Sequence, residues 1–334
     1  MIARLAGLLL VVALLTACGD DDRPVRVLIV GDSVTQGSAG DWTWRYRLWQ
    51  HLEDDEVDVD FVGPTDKLAG PPPGETNEDY TDPDFDRDHA ARWGKRFADP
   101  DWPIGDLVEA YHPDVVVELL GVNDLITGIA PDQVLDEAGD FVSDAQAADP
   151  GVDVVLGQLS QSWIAGVPAY DDGLAALAER GSTDDSRVVV AQAPADYVED
   201  VDTWDPAHPS AQGEVKIAAS VADALAGLGI GDDYPRPLPA VEPVPLESGE
   251  LTGAPAPGAA VLTWTLPPGA TTTIVWVRDV TTGEDWQRRP YGVAGTTFTD
   301  QGLPPGHTFD YRIQSGKGSQ VSADYSNVVQ VTPS

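Results

Sequence analysis

Val27-Leu28-Ile29-Val30-Gly31-Asp32-Ser33-Val34-Thr35-Gln36-Gly37 is the stretch that decides the fold of the first domain. The apolar run reaches back to Val25. It does not alternate with polar residues, so it reads as a strand covered on both faces. The run breaks at Gly31-Asp32-Ser33. In an open parallel sheet, ligands and reacting groups gather just past the carboxyl ends of strands. Ser33 therefore stands where a nucleophile is useful. The stretch alone leaves a second reading open, in which Asp32 or Ser33 only caps the next helix, because both are good N-cap residues.

Outward from this point, Trp44, Leu48, Trp49 and Leu52 recur at helical spacing over residues 42–52. Residues 57–62 alternate Val and Phe with Asp, a second strand. Residues 115–120, 152–156 and 188–191 are further apolar runs and predict a third, fourth and fifth strand. Helices are expected between them: 131–148, opened by Pro131 and closed near Pro150, a segment around 174–178, and 213–228 with Val215, Ile217, Ala218, Val221 and Leu225 inward. Strands spaced by helices imply right-handed crossovers and an α/β domain of three α/β/α layers around a five-stranded parallel sheet, over residues 25–231.

Composition changes at 232–245, where Pro235, Pro237, Pro239, Pro243 and Pro245 predict an extended, semi-rigid linker. Beyond it, residues 261–264, 273–277, 296–298, 309–313 and 328–331 read as short strands between Gly/Pro turns. That spacing predicts a β-sandwich over 246–334. The segment resembles a fibronectin type III domain: Trp264 matches the early core tryptophan, and Leu303-Pro304-Pro305-Gly306 leads to Phe309, where that family usually has a tyrosine. The phenylalanine removes one hydrogen bond and leaves the fold.

The chain of 334 residues carries 56 acidic and 19 basic side chains, a formal charge of −37. Such a surface repels nucleic acid and anionic lipid headgroups and argues against either as a partner. At the N-terminus, Arg4 precedes an apolar run over 5–15 and then Thr16-Ala17-Cys18. This is the layout of a secretory signal, too short for a spanning helix. Leu15-Thr16-Ala17-Cys18 resembles the bacterial lipoprotein lipobox. The resemblance implies a signal peptide over 1–18, a lipid on Cys18, and an extracytoplasmic protein anchored at the bacterial cell membrane. Cys18 is the only cysteine, so no disulfide can form within the chain. Residues 19–24 read as a solvated tether.

Residues 66–92 are rich in Pro, Gly and Asp and read as a long loop. Asp82, Asp84, Asp86 and Asp88 alternate as in a calcium loop, but Arg87 and Trp93 stand where its glycine and glutamate belong. A solvated acidic loop is the expectation, with calcium as the alternative.

Four separated blocks then line up. Gly31-Asp32-Ser33 follows the first strand, and His89-Ala90-Ala91-Arg92-Trp93-Gly94 closes the long loop. Gly121-Val122-Asn123-Asp124 follows the third strand, and Asp205-Pro206-Ala207-His208-Pro209 precedes the last helix. Together they resemble the SGNH, or GDSL, hydrolases across residues 25–228. The resemblance implies a flavodoxin-like sheet and an ester hydrolase working through an acyl-serine, with no metal or organic cofactor. On chemical grounds, Ser33 needs a base, His208 can be that base, and Asp205 can hold its other ring N–H. The resemblance assigns the oxyanion hole to the backbone N–H of Ser33, the backbone N–H of Gly94 and the amide of Asn123. Ala90 and Ala91 fill a stretch where the family often has a glycine. An α/β-hydrolase elbow is excluded, because Thr35 stands where Gly-x-Ser-x-Gly requires glycine.

Residues 44–49 and 59–64 look like the branch with acetylxylan esterases, so the expected substrate is an acetylated carbohydrate. Trp93, Trp163 and Trp204 are the candidate sugar-binding rings. The C-terminal domain is expected to contact glycan or protein. The alternatives are a lysophospholipase or short-chain lipid esterase, and a non-catalytic glycan-binding or scaffold lipoprotein.

Overall fold

The computed structural model describes residues 23–70 and 74–334. The signal segment, Cys18 and most of the 19–24 tether lie outside the described residues. Arg23, at the end of that tether, forks onto Asp114 at 2.8 and 2.5 Å.

The apolar run after Pro24 forms β1 (Val25–Gly31). The chain continues through α1 (Ser33–Gln36), α2 (Trp44–Asp54), β2 (Val59–Val62), β3 (Leu68–Ala69), β4 (Thr76–Asn77) and β5 (Ala90–Ala91). It then forms α3 (Ile104–Tyr111), β6 (Val115–Leu119), α4 (Val122–Ile126), α5 (Pro131–Ala148), β7 (Asp153–Gly157), α6 (Val167–Gly181), β8 (Val188–Ala191) and α7 (Ala211–Gly227). The main sheet runs β2-β1-β6-β7-β8 with every pairing parallel. These are the five parallel strands expected. The sheet is extended by β5, which pairs with Val30 and Gly31 at the end of β1.

Alternate side chains of β1 enter opposite layers, as the pleat requires. Val27 and Ile29 pack with Leu48 and Leu52 of α2 and Ile217, Val221 and Leu225 of α7. Leu28 and Val30 pack with Leu107 and Val108 of α3 and Phe141 and Ala145 of α5. All four are buried, each contributing roughly 1.5–3 kcal/mol. The strand order reverses between β1 and β6, so the residues just past these two strands meet in the crevice at the topological switch point.

The stretch expected as one long loop is more ordered than predicted. It contains the β3/β4 hairpin and β5. Its alternating carboxylates serve separate partners: Asp82 accepts from Tyr46 Oη at 3.0 Å and Asp86 from the backbone N–H of Phe61 at 2.6 Å. Among the described residues, no three His, Cys, Asp or Glu side chains gather as a metal site.

The C-terminal part adds β9 (Leu251–Ala256), β10 (Ala259–Trp264), β11 (Thr272–Asp279), β12 (Gln287–Val293), β13 (Thr297–Gln301), β14 (Phe309–Lys317), β15 (Gln320–Val321) and β16 (Val329–Val331). A β13-β10-β9 sheet and a β12-β11-β14 sheet, with β15 and β16 on β14, enclose Trp264, Val275, Tyr311 and Ile313. Phe309 is buried in this core. The buried hydroxyl bond is made by Tyr311, to Asp300 at 2.9 Å. The proline segment lies along α7: Val241 N donates to Gln212 Oε1 at 3.1 Å and Tyr234 N to Asp223 at 2.9 Å.

Candidate active site

Ser33 is the first residue of α1, directly after β1, and is buried. Asp32 caps that helix, its carboxylate accepting from Val34 N at 2.9 Å. The cap falls to Asp32, and Ser33 is left facing His208. The far end of α1 is gripped by fully buried Arg45, which donates to the carbonyls of Thr35 (3.0 Å) and Gln36 (3.3 Å).

His208 and Asp205 lie in the turn before α7. Asp205 accepts from the backbone N–H of Ala207 and His208 at 2.9 and 2.8 Å, and from His208 Nδ1 at 2.8 Å. Burial pushes the Asp205 carboxyl up, but these bonds and the His208 charge outweigh it and hold the group below the ordinary carboxylate value. A carboxylate only accepts, so Nδ1 carries the proton and Nε2 is left to accept from Ser33 Oγ, 2.9 Å away. A hydroxyl bonded to such an imidazole can be deprotonated as it attacks.

The turn is braced from behind. Trp163 Nε1 donates to the Pro206 carbonyl at 2.9 Å, and Gln161 Nε2 to the Ala207 carbonyl at 2.7 Å. Trp163 stacks on Tyr197 and packs against the core. Its polar edge is engaged by the 205–208 turn and one indole face by Tyr197. Trp93 and Trp204 both stack on the His208 ring, at centroid distances of 4.1 and 5.0 Å. Trp93 is 41% exposed.

Asn123 is the second residue of α4, just past β6. Its amide donates to Asp32 Oδ2 at 3.0 Å and to the Lys95 carbonyl at 3.2 Å. It stands beside the Asp32-Ser33 turn with both hydrogens engaged. Gly94, at φ +76°, is exposed and lies between two anchors: Trp93 N donates to Gln36 Oε1 at 2.7 Å, and Lys95 O receives Asn123. Its left-handed backbone favours glycine there. His89 is fully buried and structural. Its Nδ1 accepts from Ala91 N and its Nε2–H donates to Lys67 O, while burial and the Arg45 charge push its pKa well below the ordinary value.

Beneath the serine, burial raises Asp32 to about 7, against the bond from Val34 and the His208 charge. Burial also raises Glu118, one strand away, well above its usual value, with the Asp32 and Asp124 charges adding to it. Sequence reasoning missed Gln36, Arg45 and Gln161. Each acts through a long-range contact that no local pattern announces.

The model of the GDSL-like lipase/acylhydrolase family matches residues 29–220. Among solved structures, the chain is similar to an acetyl esterase mutant determined with an acetate ion: 25% identity, 61% of this chain, 97% of that one, TM-score 0.51. It is also similar to a family 3 carbohydrate esterase from Talaromyces cellulolyticus, at 26% identity, 61% and 97% coverage and TM-score 0.51. A Clostridium thermocellum family 3 carbohydrate esterase shares the fold at 19% identity, with 62% and 97% coverage and TM-score 0.52. No curated protein sequence matches the chain.

Proposed function

The chain belongs to the GDSL-like lipase/acylhydrolase family, and from that premise we propose that it is a lipid-anchored esterase removing acetyl groups from a carbohydrate through Ser33, His208 and Asp205. The observation that carries the reading is the unbroken chain from Ser33 Oγ to His208 Nε2 (2.9 Å) and from His208 Nδ1 to Asp205 (2.8 Å). Ser33 attacks the ester carbonyl while His208 Nε2 takes the hydroxyl proton. His208 then returns the proton to the leaving alcohol, and water, activated by the same imidazole, releases acetate from the acyl-serine. The Ser33 and Gly94 N–H groups and the Asn123 amide serve the oxyanion, Asn123 by giving up one resting contact as charge develops.

The acetyl preference is supported by the two relatives at 25 and 26% identity, named as an acetyl esterase and a carbohydrate esterase. It is also supported by Trp93 and Trp204, which crowd the imidazole. Lipidation at Cys18 would hold the enzyme at the outer face of the bacterial membrane, with two or more acyl chains giving stable attachment. One experiment tests these parts together: membrane and soluble fractions from cells making the wild type, Cys18→Ser and Ser33→Ala are assayed on 4-nitrophenyl acetate. Activity should sit in the membrane fraction for the wild type and in the soluble fraction for Cys18→Ser. Ser33→Ala should lose at least ~10⁴-fold. Near wild-type turnover by Ser33→Ala sinks the assignment, and rates rising steadily from acetyl to octanoyl esters favour a lipid esterase.

A further inference from the structure

The C-terminal sandwich is seated on the catalytic domain beside His208. At the β14–β15 turn the backbone of Gly318 lies against Trp204, so closely that a Cβ there would fall 1.6 Å from the Trp204 carbonyl oxygen. Next to it, buried Lys317 pairs its ammonium with Asp41, donates to Ser38 Oγ at 3.2 Å and lies over the Trp204 indole at 5.1 Å. The other oxygen of Asp41 accepts from Ser38 N and Oγ at 2.8 and 2.9 Å. Gln320 Nε2 ties the same turn to the proline segment through Val244 O at 2.7 Å. A buried, multiply bonded ion pair and direct backbone contact fix the orientation of the two units, because removing one partner strands the other charge.

This seating creates a groove that neither unit has alone. Trp93, Trp204, Ser38, Ala39 and Ala69 line it from the catalytic side, and Ala270 and Thr271, just before β11, line it from the sandwich. It opens at the indoles stacked on His208, and among the described residues no charged side chain lines it, on a chain of net charge −37. Trp204 is covered by His208 and Lys317, whereas Trp93 keeps an exposed indole for the apolar face of a sugar.

We propose that the sandwich forms one wall of the substrate site. In this arrangement Ala270 and Thr271 contact the alcohol part of the ester, and the substrate is a neutral acetylated glycan whose chain passes between the two units. The proposal rests on the ester-hydrolase reading above.

The test uses the full chain. Wild type, Thr271→Trp and Thr271→Glu are assayed on 4-nitrophenyl acetate and on acetylated xylo-oligosaccharides, with thermal melts to verify folding. In Thr271→Trp, the ratio of kcat/KM for the oligosaccharide to that for the aryl ester should fall about tenfold or more, mainly through KM. Thr271→Glu, smaller but charged, should lower the ratio in the same direction and decides the matter if the indole is not accommodated. Ratios within about twofold of wild type in the folded variants overturn the proposal and leave the esterase reading standing. A wild type that hydrolyses neither ester overturns the esterase reading itself. Hydrolysis of the aryl ester alone removes the glycan and the groove's assigned occupant together.

Discussion

Two Asp–His pairs in this molecule are built alike, one in each unit. Asp205 accepts from two backbone N–H groups of its own turn and from His208 Nδ1. Asp279 accepts from the N–H groups of Thr281 and Thr282 and from His307 Nδ1 at 2.6 Å. In both, burial pushes the carboxyl up, and the imidazole and backbone bonds bring it below the ordinary value. The difference lies beyond the ring. His208 presents Nε2 to Ser33 and is covered by Trp93 and Trp204, whereas His307 stacks along Phe309 at the sandwich core. An Asp–His pair is thus an orienting device. Only at His208 does a strand end deliver a hydroxyl, that of Ser33, to the free nitrogen.

The comparison breaks hardest at Asp205. Asp205→Asn offers the imidazole an amide in place of a carboxylate, so the tautomer that accepts from Ser33 is no longer enforced. Turnover of 4-nitrophenyl acetate should fall by about 10⁴-fold in a protein that still melts cooperatively. A loss under about tenfold would mean that the backbone of the 205–208 turn orients the ring without the carboxylate.

Asn123 comes next. Asn123→Ala should lower kcat by about 10²-fold with little change in KM, because an oxyanion donor acts on the transition state. The resting amide also holds Asp32 and the Lys95 carbonyl, so a purely bracing role predicts something else: a lower melting temperature with kcat nearly intact. Steady-state kinetics beside a thermal melt separates the two.

Much of this was readable from local pattern. The aliphatic runs of β1, β6 and β7 are buried on both faces, and such strands announce themselves without alternation. Ser33, Asn123, Asp205 and His208 sit at strand ends or a helix start, positions that punctuation in the sequence marks. The helix expected over 42–52 begins instead at Trp44, because the Thr43 side chain caps it by accepting from Tyr46 N. β9 and β12 carry few buried side chains and contain Pro255 and Pro290, so neither apolar content nor alternation reveals them. Trp163 shows the limit of composition: its bond to Pro206 O, which braces the turn, joins residues far apart in sequence and no local pattern announces it. The contact of Lys317 with Asp41 joins residues far apart in sequence, and no periodicity encodes it.

The smallest expected effect sharpens the comparison from the other side. Asp279→Asn removes the carboxylate from His307 while an amide oxygen still caps the Thr281 and Thr282 N–H groups. Asp279 faces no nucleophile, so kcat/KM on 4-nitrophenyl acetate should stay within about twofold of wild type. The cost should appear in stability, with a definite pH sign. A carboxyl held below its unfolded value of about 3.9 stabilises the fold above that pH and loses the contribution as pH falls through the folded value. The melting temperature of Asp279→Asn should therefore lie below wild type at pH 7, and the gap should narrow as pH drops from about 3.9 toward the lower folded value. Melts at pH 7 and pH 3.5, beside the aryl-ester assay, read both quantities. A tenfold loss of turnover in the folded variant would show that the sandwich pair is coupled to the serine site, and the likeness between the two pairs would then be functional as well as architectural.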